Sequence, residues 1–332
     1  MKAAYITRTG DPDVIEYGDL PDPEPGPGQV LVRTEAVAVN PIDTYVRGGL
    51  VSIELDDPYT IGCDLAGVVE ACGDGVDRFA VGDRVWGSNQ GLLGRAGTFS
   101  ELAAVDQQWL YGSPDGVSSE LLAAGALVGL TAHLGLFLHA GVTGDDLVFV
   151  NGGTGGVGAA VVQLAKGAGA RVAATVGSAE KQEICRSLGA DLVVDYHDPD
   201  MDQVLAEFAA GTGGIDVWFE TLREPTPERT IDLMAKRGRI VLMAGRAARP
   251  EFPVGPFYTK DLRLFGFAMF NASADEQQIC GETINELAAA GGWNPPIGAR
   301  FPLSESAAAH QLQQDNTIGG LGTLTGKIVL TP

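Results

Sequence analysis

The chain has 332 residues, 45% of them hydrophobic, which is enough for about two domains of ordinary size. The formal net charge of -21 argues against nucleic acid or an anionic membrane as a partner, because phosphate would be repelled over the whole surface. We find no uninterrupted run of about 20 apolar residues and therefore predict no transmembrane helix. The first residues, MKAAYITRTGDPDVIEYGDL, lack the apolar run of a secretory signal, so we expect a cytoplasmic protein.

The first ~120 residues read as short strands separated by turn sequences such as PEPGPG and GDGVD. Their spacing is typical of an antiparallel, barrel-like domain and not of alternating strands and helices. The strands that we predict here are 29–39, 66–72, 83–87 and 98–105.

The pattern changes near residue 120, where a long apolar stretch (118–141) is compatible with a helix. From residue 146 onward, apolar strands alternate with amphipathic helices, which predicts a doubly wound parallel sheet. The predicted strands are 146–150, 171–176, 190–196, 215–221 and 239–245, and the predicted helices are 157–169, 178–189, 201–211 and 226–238.

A further helix and a short, turn-rich tail follow residue 270, and the closing TLTGKIVLTP reads as a strand. We infer that this tail returns to the first domain. The predicted division is therefore a discontinuous domain of 1–121 and 273–332, and a nucleotide-binding domain of 122–272.

The sharpest motif is VNGGTGGVGAA, in which Gly153, Gly155 and Gly158 match G-x-G-x-x-G. It lies between an apolar strand and an amphipathic helix, which is the context that a dinucleotide-binding loop requires. Glycines permit the tight turn and let backbone N–H groups approach a pyrophosphate, and the last glycine allows the helix to approach the strand closely. A purely structural glycine turn is the alternative.

The second strand of this predicted sheet favours NADPH over NADH. An NAD site usually places a carboxylate at the end of this strand, against the ribose 2′-hydroxyl. Here the strand ends in Val176-Gly177-Ser178, and Lys181 follows one helical turn later, where it can meet a 2′-phosphate. The evidence against NADPH is Glu180, which we expect to point to solvent.

Six segments of the chain form a specific set by their order and spacing: VNPIDTYVRGG, PYTIGCDLAGVVEACGDGVDRFAVGDRVWG, LTAHLGL, NGGTGGVG, FETLREPTPERTIDLMAKRGRIVLMAG and the closing GKIVL. In these segments the chain resembles the zinc-free quinone oxidoreductases related to zeta-crystallin, within the medium-chain dehydrogenase/reductase superfamily. This resemblance implies an α/β protein with a GroES-like β-barrel catalytic domain and a Rossmann domain with a doubly wound parallel sheet, and an active site in the cleft between them. It further implies NADPH contacts from Tyr45, Thr131, Gly153, Thr154, Gly155, Gly156, Val157, Gly158, Gly177, Ser178, Lys181, Tyr196, Leu222, Ala244, Gly245, Phe267, Ala268, Met269 and Lys327.

Zinc-dependent relatives need Cys or His ligands at set positions, and this chain has Asn40 at the first and Cys63-Asp64 at the second. A catalytic zinc site needs three protein ligands, and the stretch around the third position, LLAAGALVGLTA, holds none. We therefore predict that no metal is bound. Without a Lewis acid, alcohol oxidation loses its main electrostatic device, whereas hydride transfer to a quinone or an enone does not need one.

The catalytic candidates lie in NPIDTY. We expect Tyr45 to hydrogen-bond the acceptor oxygen or the nicotinamide ribose, Asn40 to orient the substrate, and Asp43 to hold the neighbouring backbone. Each has a structural alternative: Asn40 shapes a turn before Pro41, Asp43 caps a helical turn, and Tyr45 serves only in packing.

These observations favour an NADPH-dependent quinone oxidoreductase that acts on a small-molecule acceptor without zinc, by hydride transfer or by net one-electron reduction. Two alternatives remain open. One is an NADPH-dependent reductase of enones, alkenals or enoyl thioesters; the other is a protein that binds NADPH without catalysis. A homodimer is expected from the family resemblance, since the apolar segment 262–270 can protect a sheet edge by pairing across a two-fold axis.

Overall fold

The computed structural model describes residues 1–51 and 58–332. Within these, the strands are β1 (Lys2–Ile6), β2 (Glu16–Asp19), β3 (Gln29–Val39), β4 (Tyr59–Thr60), β5 (Asp64–Cys72), β6 (Arg84–Gly87), β7 (Leu102–Asp106), β8 (Leu110–Gly112), β9 (Leu147–Asn151), β10 (Arg171–Val176), β11 (Leu192–Asp195), β12 (Ile215–Glu220), β13 (Met234–Leu242), β14 (Arg263–Gly266), β15 (Ile297–Pro302) and β16 (Lys327–Thr331). The α-helices are α1 (Pro41–Arg47), α2 (Ser119–His133), α3 (Gly156–Gly167), α4 (Ala179–Ser187), α5 (Met201–Phe208), α6 (Pro227–Leu233), α7 (Val254–Thr259), α8 (Ala274–Ala289) and α9 (Ser306–Thr317).

The chain forms two compact units. The discontinuous unit consists of Met1–Val128 and Ser273–Pro332, and the parallel-sheet unit consists of Gly129–Ala272. The first division point therefore lies inside α2, and the second lies next to the predicted residue 273.

The parallel-sheet unit is built on six strands in the order β11-β10-β9-β12-β13-β14. All neighbouring pairs are parallel. This is the doubly wound order of dinucleotide-binding sheets, in which strands are added first on one side of β9 and then on its other side. Strand β9 is buried along its whole length because helices cover both faces of such a sheet. In its core, the rings of Phe149 and Trp218 pack at an interplanar angle of 46°, with their centroids 4.2 Å apart.

The discontinuous unit contains a seven-stranded sheet in the order β15-β16-β3-β5-β6-β8, with β7 paired to β3. A three-stranded sheet, β2-β1-β4, accompanies it. The closing strand β16 pairs antiparallel with the end of β3, so the carboxyl-terminal segment does return to this unit. This pairing brings Lys327 of β16 close to the residues that follow β3.

Several predicted elements differ from the structure. The predicted helix 226–238 ends at Leu233, and β13 begins at Met234, where a register shift against β12 and a left-handed Arg237 interrupt any helical path. The tail after residue 290 is not merely turns, since it forms β15 and α9. The apolar segment 262–270 forms only the short strand β14, followed by a 3₁₀ turn.

Helix α2 continues into a π-helical segment, Leu134–His139. The combined helix, Ser119–His139, reaches a mean hydropathy of 2.0, so it is long and apolar enough to cross a membrane, contrary to our sequence-based expectation. However, 83% of its most apolar window is buried inside the protein. This burial is typical of a core helix of a soluble protein.

The four cysteines are free thiols. Three of them are buried, as expected for thiols that serve in packing, whereas Cys72 is exposed.

Candidate functional site

The predicted cofactor residues of the parallel-sheet unit follow the carboxyl ends of its strands. Asn151, Glu220, Leu242 and Gly266 end four strands and lie in register across the sheet. Carboxyl ends of parallel strands form the binding edge of doubly wound sheets. The sheet thereby brings to one edge Gly153–Gly158 (after β9), Gly177–Lys181 (after β10), Tyr196 (after β11), Leu222 (after β12), Ala244–Gly245 (after β13) and Phe267–Met269 (after β14).

The glycine loop fits a pyrophosphate. Gly152 adopts a left-handed φ of 88°, and a Cβ on Gly158 would lie 2.0 Å from the carbonyl oxygen of Gly152. Only glycine therefore permits this approach of α3 to the loop. Gly155 caps α3 without a side-chain hydrogen bond and is exposed, so the first N–H groups of the helix are open to an anion.

A buried hydrogen-bond network supports this loop from below. The amide of Gly152 donates to Thr175 Oγ1 (3.0 Å), and the same hydroxyl donates to Asn151 Oδ1 (2.6 Å). Asn151 Nδ2 donates in turn to Glu220 Oε2 (3.2 Å). Glu220 also accepts from Trp218 Nε1 and from the amide of Leu222. Burial raises the pKa of Glu220, and these three donors oppose that shift by favouring the ionised carboxylate.

The residues that follow β10 are suited to the phosphorylated ribose in the adenosine half of the cofactor. Ser178 caps α4 by accepting from the Lys181 amide (3.3 Å). A Cβ on Gly177 would lie 2.2 Å from the Tyr196 hydroxyl, so the tyrosine covers this glycine closely. Glu180 is exposed, as predicted, and no carboxylate occupies the tip of β10. These features suit a 2′-phosphate better than a free 2′-hydroxyl.

The opposite end of the sheet edge carries the segment assigned to the nicotinamide. His139 is half-buried, and its ring centroid lies 4.8 Å from that of Phe267. A Cβ on Gly135 would lie 3.2 Å from the same ring. The π-helical segment therefore packs on Phe267, and Thr131 is buried one turn earlier.

The discontinuous unit places the other candidates around a buried polar cluster. Lys327 Nζ donates to Asn40 Oδ1, and Asn40 Nδ2 donates to Asp64 Oδ2 (2.7 Å). The Lys327 ammonium also lies 3.7 Å from Asp64 Oδ2. Asp64 accepts further from Ser88 Oγ (2.6 Å) and from the amide of Leu127 (3.1 Å). Burial raises the pKa of Asp64 and lowers that of Lys327, while the attraction between the two charges opposes both shifts.

The side chains of Asn40 and Asp43 therefore form their hydrogen bonds within the protein. Asn40 is fully buried, and both ends of its amide are bonded within the cluster. Asp43 accepts from the Asn40 amide (2.7 Å) and forms a capping box at the start of α1, which is the structural alternative considered for it. Burial raises the pKa of Asp43 to about 7. In this arrangement neither side chain is presented to a substrate.

The same cluster does not fit a zinc ion. An ammonium lies against Asn40 and Asp64, where a cation would be repelled. Burial raises the pKa of the Cys63 thiol well above its usual range, which disfavours the thiolate that zinc requires. Among residues 1–51 and 58–332, no group of three His, Cys, Asp or Glu side chains is placed to hold a metal.

Tyr45 is the catalytic candidate that faces open space. It is half-buried and lines a groove of about 330 Å³. We call this feature the Tyr45 groove; among the described residues its other lining side chains include Thr44, Arg47, Leu50, Gln314 and Ile318. The volume is at the lower end of the range for small-molecule sites.

Sequence reasoning missed Arg47 and the network of Asn151, Thr175 and Glu220. A signal for the network exists, because each of these polar residues stands in or at the end of a strand that is otherwise apolar. Arg47 gives no such signal, since it lies in a short helix whose buried face depends on the distant helix α9.

The sequence is similar to two family models and to several characterised proteins. Residues 26–115 match the alcohol dehydrogenase GroES-like domain, and residues 156–285 match the zinc-binding dehydrogenase family. The chain is 31% identical to human quinone oxidoreductase, with 99% of this chain and 97% of the relative covered. It is 33% identical to a quinone oxidoreductase of Pseudomonas aeruginosa (100% and 99% covered). It is also 30% identical to a 2-haloacrylate reductase of a Burkholderia species (100% and 99% covered).

Two solved structures have the same fold over their whole length. An NAD-dependent alcohol dehydrogenase is 32% identical with a TM-score of 0.87, and a mycobacterial protein solved in complex with NADPH is 31% identical with a TM-score of 0.85. Each comparison covers 100% of both chains. The chain therefore belongs to the quinone oxidoreductase, or zeta-crystallin-like, family of the medium-chain dehydrogenase/reductase superfamily.

Proposed function

We propose that this protein reduces quinones with NADPH and does so without zinc. Membership of the family makes the chain an NADPH-dependent oxidoreductase, and the curated relatives named quinone oxidoreductase support the choice of acceptor. The single observation that carries the proposal is that the Lys327 ammonium donates to Asn40, which stands where zinc-dependent relatives have their first zinc ligand, in a chain that also has an open glycine loop. Such a protein can bind a hydride donor but has no electrophilic metal with which to oxidise an alcohol.

The cofactor residues have distinct roles in this proposal. Backbone N–H groups at the start of α3 hold the pyrophosphate, and Ser178 and Lys181 hold the 2′-phosphate. Tyr196 covers the adenosine side, and Phe267 with its neighbours lines the nicotinamide. Bound NADPH supplies the hydride, and the protein supplies orientation and exclusion of water.

Tyr45 is the residue that we assign to the acceptor oxygen or the nicotinamide ribose. Asn40, Asp43 and Lys327 are positioning residues in this proposal. Their hydrogen bonds fix the start of α1, and α1 carries Tyr45. In this proposal Asn40 positions α1 and does not itself contact the substrate. The Lys327 side chain is 3% exposed. It can contact the cofactor, as the family resemblance implies, only if its hydrogen bond to Asn40 breaks.

A 2-haloacrylate reductase among the relatives supports one alternative, reduction of an activated carbon–carbon double bond. Initial rates of NADPH oxidation against a quinone panel, an enone panel and an enoyl-thioester panel separate the two chemistries. Saturable quinone turnover with little enone turnover supports the proposal. Turnover of enones or enoyl thioesters alone would replace it, and tight NADPH binding without any turnover would favour a non-catalytic role.

We further propose a homodimer in the cytoplasm. Strand β14 is an edge strand, and its Leu264 is 42% exposed, so the edge is available for pairing with a second copy. Light scattering that gives the mass of one chain at working salt would refute the dimer.

A further inference from the structure

A pocket of about 710 Å³ opens on the parallel-sheet unit, at the end of the strands opposite to the cofactor residues. It lies at the amino end of β14 and beside the part of β13 that pairs with it, whereas the cofactor residues follow the carboxyl ends of both strands. The paired segments Arg239–Leu242 and Arg263–Gly266 separate the two places by about 10 Å. We call this feature the Arg237 pocket; its lining residues are Arg237, Phe257, Tyr258, Asp261, Leu262 and Arg263.

The backbone of the Arg237 pocket is held in place by the turn that precedes β14. Lys260 Nζ donates to the carbonyl oxygens of Ile231 (2.8 Å), Asp232 (2.9 Å) and Met234 (3.1 Å). The Lys260 carbonyl in turn accepts from the Arg237 amide (2.7 Å). Lys260 therefore joins the turn before β14 to the end of α6 and to β13, so the lining side chains extend from a fixed backbone.

Two lining residues have a left-handed backbone although neither is glycine. Arg237 has a φ of 65° and Asp261 a φ of 54°. Residues other than glycine rarely adopt such values, and asparagine and aspartate do so more often than arginine. Each conformation costs about 1–3 kcal/mol, and strain of this kind clusters at ligand sites. Its presence at two residues of one pocket is therefore a first indication that the pocket binds a ligand.

The two arginines of the pocket carry charges that the protein itself does not neutralise. The ion pairs of the parallel-sheet unit use other basic residues. Arg237 and Arg263 form none with a carboxylate of residues 1–51 or 58–332, and this includes Asp261 of the same pocket. Both side chains are exposed, so a ligand can reach their guanidinium groups without a rearrangement. In a chain with 43 acidic and 22 basic residues, two unpaired arginines in one pocket are a second indication of an anionic ligand.

We propose that the Arg237 pocket binds a planar aromatic compound that carries a phosphate group. The guanidinium groups of Arg237 and Arg263 hold the phosphate, since two of these forked donors match a dianion better than a singly charged carboxylate. The half-buried Phe257 and the 66% exposed Tyr258 offer rings on which an aromatic ring can stack. Asp261 can accept from an amino or hydroxyl group. A nucleoside monophosphate has all three features and is the ligand class that we assign.

The size of the pocket agrees with this class, because small-molecule sites have volumes of about 300–1,000 Å³. The site lies apart from the cofactor edge of the same sheet. It therefore goes beyond the proposed reduction of quinones, and its ligand should bind together with NADPH.

The first experiment is equilibrium dialysis of AMP against protein saturated with NADPH, so that the glycine loop is already occupied. We expect one AMP site per chain with a Kd below about 1 mM, whereas no binding up to about 10 mM AMP would overturn the inference. Displacement of NADPH by AMP would place AMP in the cofactor site and would likewise overturn it.

The second experiment compares Arg237→Asn and Arg263→Met with the control Lys236→Met. Asparagine tolerates the left-handed backbone of residue 237, and Arg263 lies on an exposed edge strand, so the second variant carries the test if the first does not fold. Each arginine variant should raise the Kd for AMP by about tenfold through loss of a charge-assisted hydrogen bond. Lys236 is exposed and does not line the pocket, so Lys236→Met removes the same charge and should leave this Kd within about twofold.

An equal loss of AMP binding in Lys236→Met would reduce the effect to general charge attraction and refute the site. An unchanged Kd for NADPH in all three variants shows that the parallel-sheet unit remains folded.

The aromatic part of the ligand is tested with Tyr258→Ala and with ribose 5-phosphate, which has the phosphate but no aromatic ring. Tyr258→Ala should weaken AMP by about tenfold and leave ribose 5-phosphate unchanged, because only AMP stacks. Ribose 5-phosphate should itself bind about tenfold more weakly than AMP. Equal binding of the two compounds by the wild-type protein would contradict the assigned ligand class.

Discussion

Replacing Thr175 by valine removes one hydroxyl from beneath the glycine loop while nearly conserving the side-chain volume. In the wild-type protein this fully buried hydroxyl accepts from the Gly152 amide (3.0 Å) and donates to Asn151 Oδ1 (2.6 Å). Thr175→Val leaves both partners unsatisfied. Each orphaned polar group costs about 1–3 kcal/mol, so we expect the free energy of unfolding to fall by about 2–4 kcal/mol.

Thr175→Val should weaken NADPH binding by more than the loss of global stability alone would cause. Gly152 turns the chain into the pyrophosphate loop, and releasing its amide loosens the backbone that binds the phosphates. We expect the Kd for NADPH to rise by about tenfold, which corresponds to 1.4 kcal/mol of lost binding free energy. Urea unfolding and NADPH fluorescence titration measure the two quantities.

Thr175→Ser is the matched control, because it keeps the hydroxyl and removes only a methyl group. If the hydroxyl holds the loop, the serine variant should bind NADPH about as tightly as wild type while losing about 1 kcal/mol of stability. If the valine variant binds NADPH normally and the serine variant does not, methyl packing fixes the loop and the reasoning is wrong.

Three other variants test other parts of the structure. Gly158→Ala should abolish measurable NADPH binding, because its Cβ would lie 2.0 Å from a backbone oxygen that cannot move freely; normal binding in a calorimetric titration would contradict this. Lys327→Met should destabilise the protein by about 3–5 kcal/mol, since Asp64 is left as a buried carboxylate without its ammonium, and unfolding at constant pH measures it. His310→Leu should flatten the dependence of stability on pH. Burial, with a smaller contribution from Arg47, lowers the pKa of His310 to about 3, so between that value and about 6.5 the unfolded chain binds a proton that the folded chain does not. Wild type should therefore lose roughly 1.4 kcal/mol more than the variant as pH falls from about 7.5 to about 5.5, and equal losses would refute the assignment.

Much of the parallel-sheet unit could be predicted from sequence because its signals are local. Continuous apolar strands, amphipathic helices and the glycine loop each lie within one segment, and the edge that they form follows from the parallel order. The helix predicted over 226–238 was wrong in its second half. The residues from Met234 to Gly238 show no sequence pattern that is typical of a strand, although β13 begins at Met234. Pairing with the preceding strand β12, which lies outside the segment, decides its structure.

The site residues of the discontinuous unit were harder to predict from sequence because their contacts join segments that are far apart in the chain. Asn40 bonds Lys327, which reaches it only when β16 returns to β3, and Asp64, which the pairing of β3 with β5 places beside the end of β3. Sequence alone suggested that Asn40 orients the substrate and that Asp43 holds the neighbouring backbone; the structure places Asn40 in an interior network and Asp43 in the capping box of α1. For the same reason Arg47 gave no sign of its burial against α9.

The most direct test of the account is NADPH oxidation by metal-free protein. Protein that elemental analysis shows to be free of zinc should oxidise NADPH with a panel of quinones, saturably in both reactants, and added zinc should not raise the rate. Quinone turnover that vanishes with removal of stoichiometric zinc and returns when zinc is restored would contradict the account.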